Sequence, residues 1–180
     1  MTAHPVTSAS DPSLASLPGD WPGLPGCGSS SPDPSRVRPR VHGEFAACGF
    51  GPAPRWAATA REFTRRTLGA WNLTALVDDV SVIVSELVGN ALRYGVHAAP
   101  ARPAGERPVR LGLLWQDTTL LCAVSDPSSV LPVVREPDHL AESGRGLHIV
   151  DALSWRWGWS RPCCGTGKTV WATVGVDGGR

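Results

Sequence analysis

The chain has 180 residues, 42% of them hydrophobic, and a formal charge of +1. That length suits one domain with a tail, and the apolar share is enough for a core. Near-neutral charge removes the broad attraction to nucleic acid or anionic lipid that a basic chain would carry, so no direct nucleic-acid partner is expected. No apolar run approaches the roughly 18–20 residues that span a bilayer. Met1 to Asp20 lacks a basic start and an apolar centre, so no secretory signal is read there. The five cysteines, Cys27, Cys48, Cys122, Cys163 and Cys164, are odd in number and lack metal-ligand spacing. A cytoplasmic protein with reduced thiols is expected.

Residues 1–40 are dense in Pro, Ser and Gly and cannot bury enough apolar surface to offset chain entropy, so a disordered tail is expected. Val41 to Phe50 alternates weakly and reads as an edge strand. Pro52 and Pro54 open a helix whose packing face carries Trp56, Ala60, Phe63, Thr67 and Leu68. Asn72 to Thr74 offers a cap, and a second helix runs from about Ala75 to Tyr94, where Gly95 stops it. Val109–Trp115 and Thr119–Ser125 form an antiparallel hairpin around Gln116-Asp117. Gly146–Leu153 reads as a short helix, followed by strands over Ser154–Trp159 and Lys168–Val174. These elements describe an α+β two-layer sandwich, with a mixed or antiparallel sheet and helices on one face. The domain spans 41–176, leaving 177–180 as a flexible C-terminus.

At about 100° per residue, Leu76, Val80, Ile83, Val84, Leu87 and Ala91 share one side of the second helix. Glu86, Asn90 and Arg93 share another side, with Asp79 along the same stripe. A solvated polar face would explain that stripe. It also suits a nucleoside triphosphate: a neutral Asn oxygen can ligate Mg²⁺ alongside phosphates and water. Glu86 can take a proton from an attacking hydroxyl, and Arg93 can meet phosphate charge.

Asp126 ends an apolar strand, where a carboxylate can accept a hydrogen bond from the exocyclic amine of adenine. A turn residue before Pro127 is the plainer alternative. Ser143-Gly144-Arg145-Gly146-Leu147 opens a helix, so backbone amides there can meet an anion, with Arg145 or Arg135 adding charge. Gly167-Lys168-Thr169 is no phosphate-binding P-loop, because the earlier glycine is missing and a strand follows. Trp155, Trp157 and Trp159 alternate along one strand face and read as core, with a partner surface as the alternative. His97, His139 and His148 lack partners at ligand spacing.

Ser85-Glu86-Leu87-Val88-Gly89-Asn90-Ala91-Leu92-Arg93-Tyr94-Gly95 resembles the N-box of the histidine-kinase-type ATPases. Asp126 is similar to their first glycine-box aspartate, and Ser143 to Leu147 to their second glycine box. Gly167-Lys168-Thr169 looks like the entry to their last strand. The resemblance covers residues 50 to 175 and implies a Bergerat-type ATP-binding fold. It implies Mg²⁺ on Asn90, a catalytic base at Glu86 and an adenine contact at Asp126 supported by Thr169. Gly144, Arg145, Gly146 and Leu147 would serve the phosphates. After Asp126 the family continues with glycines, whereas this chain has Pro127-Ser128-Ser129-Val130-Leu131-Pro132.

Chain length and the lack of a phospho-accepting helix point to the bacterial anti-sigma-factor serine-kinase branch. That resemblance implies ATP and Mg²⁺, transfer to a serine of a small antagonist protein, a sigma-factor partner and a homodimer. The alternative is an ATP-binding switch on a regulatory partner without phosphotransfer.

Overall fold

The computed structural model describes residues 6–7, 43–52, 54–96, 108–133, 145–161 and 167–176. Gly43–Phe50 (β2) precedes helix Trp56–Ala70 (α1), a single tight turn Thr74–Leu76 and helix Val77–Asn90 (α2). Ala91–Val96 continues α2 as a wider π-helical turn. The hairpin Val109–Gln116 (β3) and Thr119–Asp126 (β4) follows. Helix Gly146–Leu153 (α3) and strands Arg156–Ser160 (β5) and Lys168–Gly175 (β6) complete the domain. Val6–Thr7 adds a two-residue strand, β1.

The sheet runs β1-β5-β6-β4-β3-β2. Every pairing is antiparallel except β1 with β5. The expected two-layer α+β sandwich with a mixed sheet is the observed fold. Among residues 1–40, Val6 and Thr7 depart from the expectation of a structureless tail. A β-branched pair there takes up the otherwise open edge of β5, pairing with Gly158 and Trp159. The rest of that segment, and residues 177–180, lie outside the described residues.

Strand alternation divides the sheet cleanly. Leu111, Leu113, Leu120, Cys122, Val124, Val170, Ala172 and Trp157 share one core with Val80, Ile83, Val84 and Leu87 of α2. Leu114, Leu121, Ala123 and Trp171 form a separate buried cluster on the opposite face. α1 packs on α2 and β2, α2 on β3, β4 and β6, and α3 on α2 and β5. The first helix buries Ala60, Thr64, Thr67 and Leu68, and Thr64 satisfies its hydroxyl on the Ala60 carbonyl at 2.9 Å.

Local differences from the expected elements have identifiable causes. Asn72 takes φ 58°, so it ends α1 in the left-handed conformation instead of capping the next helix. Leu76 precedes α2 without a side-chain cap, and Asp78 and Asp79 place negative charge at the helix N-terminus. Asp117 takes the positive φ that closes the β3–β4 turn. Trp155 lies before β5, exposed and against Gly175, so it does not join Trp157 and Trp159 on the core face. Trp157 is held by its indole N–H donating to Asp151 Oδ1 at 2.9 Å.

Ile83 is fully buried between α2 and the sheet, whereas Val82 is 41% exposed. Ile83→Ala is expected to cost about 2–5 kcal/mol of unfolding free energy in urea, and Val82→Ala less than about 0.5 kcal/mol. Equal costs would contradict the assigned helix phase.

Candidate functional site

A cavity of about 220 Å³ opens between α2, the end of β4, the segment after it and the start of α3. Leu87, Val124, Leu147 and Val170 give it apolar walls, and Asn90, Tyr94, Asp126 and Lys168 supply its polar groups. The helix supplies both kinds of residue because its two stripes diverge. One stripe packs on the sheet, and Asn90 lies at the edge of that contact.

The polar end of the cavity is built across two strands. Asp126 and Lys168 are directly opposed in the β4–β6 register and point to the same face. Lys168 Nζ donates to Asp126 Oδ1 at 2.9 Å. Both residues are almost sealed, 3% exposed for Asp126 and 6% for Lys168. The Ser128 N–H also donates to Asp126 Oδ1, at 2.9 Å, and Lys168 reaches the Ser128 carbonyl at 3.4 Å. Burial raises the Asp126 carboxyl above the usual carboxylate range, and the Lys168 ammonium and the Ser128 N–H pull it part of the way back.

Gly95, in the widened turn after α2, lies against this carboxylate. A methyl group there would sit 2.6 Å from Asp126 Cγ, so only glycine admits the approach. The π-helical turn carries residue 95 to that position and runs on to Val96, one residue past the helix end expected at Gly95. Such widened turns recur at functional sites.

At the other end, Gly146 opens α3 beside α2. A methyl on Gly146 would overlap Glu86 Oε2 and come within 3.4 Å of Asn90 Nδ2. The acidic and amide side chains of α2 thus meet the first turn of α3, whose backbone amides are free of side-chain caps at Arg145.

The segment after Asp126 is pinned, not loose. Val130 N–H donates to Ser128 Oγ at 3.0 Å, and Arg161 Nη2 donates to the Ser129 carbonyl at 3.0 Å. Val130, Leu131, Pro132 and Val133 then form one wall of the cavity. Cys122 lies deep under the sheet, and burial pushes its thiol up to about 12, which leaves it inert.

Residues 50–174 match the family model of the histidine kinase-like ATPase domain. The chain belongs to that family. Nucleotide binding is the coarse function that membership carries. The RsbU and RsbW domains of Rv1364c from Mycobacterium tuberculosis are a structural neighbour at 18% identity and TM-score 0.49, over 73% of this chain. The matched part is 31% of that chain, so this ATPase domain spans about a third of its length. No curated protein matches the chain.

Of the residues singled out in the sequence, Asn90, Asp126, Gly146 and Leu147 line one cavity in this ATPase domain. Glu86 borders it through Gly146. Arg93 is exposed, with its guanidinium 5.8 Å from the Tyr94 ring centroid, and does not line the cavity. Arg145 is exposed at the start of α3 and also stands outside the lining. Gly144 and Arg135 lie outside the described residues, as do His97, His139, Cys27, Cys163 and Cys164.

Thr169 is a correction. Alternation along β6 sends it to the face of Trp171 and Thr173, away from Asp126, because Lys168 and Val170 face the cavity. The side chain beside the carboxylate is Lys168. Tyr94 was missed altogether. Its clue was an aromatic residue following the helix stripe one position beyond Arg93.

Removing one member of a buried ion pair strands the other charge and costs about 3–5 kcal/mol. Lys168→Met is therefore expected to destabilise the fold by that order, and Asp126→Asn/Lys168→Met to recover most of the loss. With Lys168 gone, burial still raises Asp126 and only the weaker pull of the Ser128 N–H opposes it. Its folded-state pKa then stays above its unfolded value, so folding takes up a proton. Stability of Lys168→Met should be greatest in acid and fall as pH rises from the ordinary carboxylate range through the raised pKa. Urea titrations across that range check the slope; a flat or rising profile would contradict it.

Proposed function

We propose that this chain binds ATP with magnesium in the cavity and acts as a serine kinase of the anti-sigma-factor type. The observation that carries the reading is that Asn90 and Asp126 line one cavity, with Glu86 and the first turn of α3 at one end. Apolar walls beside a buried carboxylate suit a purine base. An amide, a carboxylate and capless helix amides suit a triphosphate.

The residues present fit a magnesium ion held mostly by its nucleotide. Among the described residues no group of three or more His, Cys, Asp or Glu side chains could hold a metal by itself. Asn90 offers one neutral oxygen, and Mg²⁺ commonly takes one or two protein ligands and fills the rest with phosphate oxygens and water. When bound, the ion supplies charge neutralisation at the phosphates.

Glu86 would accept the proton of a serine hydroxyl on a small antagonist protein. The serine Oγ–phosphorus bond forms, the bond from the γ-phosphorus to its bridging oxygen breaks, and ADP leaves with that oxygen. Catalysis of this kind rests on positioning and charge, which the α2 rim and the α3 N-terminus provide. A sigma factor, a second copy of the chain and a cytoplasmic setting belong to the same reading. No described helix is long and apolar enough to cross a membrane.

A second reading is a nucleotide-held switch that does not transfer phosphate. The pinned segment 127–130 favours it, because the glycines that would free this stretch in the family are replaced here by Pro127, Ser128 and Ser129.

Calorimetric titration with ATP and Mg²⁺ decides nucleotide binding, with Asn90→Ala as the comparison. The wild-type chain should give a saturable heat and gain about 2.7 kcal/mol of stability at a hundredfold excess over Kd. Asn90→Ala should lose most of that gain. Glu86→Ala should keep binding and lose transfer from γ-labelled ATP to an antagonist serine; transfer undiminished in that variant would remove Glu86 as the base. Wild-type binding with no transfer selects the switch.

A further inference from the structure

The carboxylate in this cavity does not stand alone, and its partner changes what it reads. A lone buried carboxylate only accepts hydrogen bonds. It therefore welcomes a 6-amino group and repels a 6-oxo group. Here the same cavity presents an ammonium beside it. Lys168 has three N–H donors; one meets Asp126 Oδ1 at 2.9 Å and one points to the Ser128 carbonyl at 3.4 Å. Both side chains line the cavity beside the apolar walls of Leu87, Val124 and Val170.

We infer that Lys168 is a specificity-determining residue that lets the base end of the cavity accept 6-oxopurines as well as adenine. The inference rests on the nucleotide reading above. An adenine edge offers an amino donor to Asp126 and the N1 acceptor to Lys168. A guanine edge carries the opposite order, a 6-oxo acceptor and an N1–H donor, so it has to slide by about one ring position to set its N1–H on Asp126 and its 6-oxo group on Lys168. Either base satisfies both groups, so neither leaves a buried charge unpaired, which is the usual source of strong rejection. Hydrogen bonds to the pair survive in both cases, since Asp126 uses Oδ1 for Lys168 and for the Ser128 N–H and a carboxylate can accept about four.

The test is direct titration of the full chain with ATP, GTP and ITP, each with Mg²⁺. Affinities for the three within about tenfold of one another are expected, ITP matching GTP because it carries the same 6-oxo and N1–H edge. GTP and ITP each weaker than ATP by about a hundredfold or more would overturn the inference and leave ATP binding intact. If none of the three binds, the nucleotide reading fails with it. Lys168→Thr removes the ammonium and leaves a shorter hydroxyl that accepts as readily as it donates, so the ATP-to-GTP preference should rise by at least about tenfold. A folded Lys168→Thr with an unchanged preference would contradict the assignment. Should that variant not fold, the wild-type ratio alone decides the question.

Discussion

Asp126 and Lys168 sit opposite one another on β4 and β6, with both charges almost closed off from water. Taking two ions out of water costs several kcal/mol each, and the contact must offset that with close geometry and extra hydrogen bonds. The 2.9 Å approach and the Ser128 N–H supply both. The pair also fixes where the chain leaves β4, because Ser128 is tied to the same oxygen. Gly95 has to stay small beside it. The polar end of the cavity, the start of the following segment and the widened turn after α2 all answer to this one contact.

The opposite end of the cavity depends on a division of labour within α2. Val80, Ile83, Val84 and Leu87 lock the helix to the sheet. That fixes its rotation, and rotation alone decides that Asn90 looks into the cavity while Arg93 looks out. α3 then approaches closely enough that Gly146 touches Glu86. The placement of the polar side chains on this helix is a by-product of core packing: the apolar stripe sets the angle and the polar stripe inherits it.

Features set by local periodicity were legible in the sequence. The two faces of α2, the bounds of α3 and the β3–β4 hairpin follow from spacings of three, four and two residues. Asn90 was legible from the polar stripe it shares with Glu86, and Asp126 and Gly146 because each sits at an element boundary with a distinctive neighbour. Features set by contacts distant in sequence were not. Whether Lys168 or Thr169 faces Asp126 depends on the phase of β6 against β4, and that phase is fixed by pairing across the sheet. Trp155 shares the Trp spacing of its neighbours but falls before β5, where alternation no longer applies. The strand at Val6–Thr7 gives no periodic sign of its own and forms only because β5 leaves an open edge.

Family membership and the cavity together describe a nucleotide-binding domain whose cavity has a buried ion pair at one end and whose neighbouring segment is held down. The most direct measurement is amide chemical-shift mapping while ATP and Mg²⁺ are added. The account predicts shifts concentrated at Asn90, Tyr94, Gly95, Asp126, Gly146, Leu147 and Lys168, with Leu121 and Trp171 on the far face of the sheet nearly unchanged. Shifts centred on that far face, or spread without regard to the cavity, would contradict it.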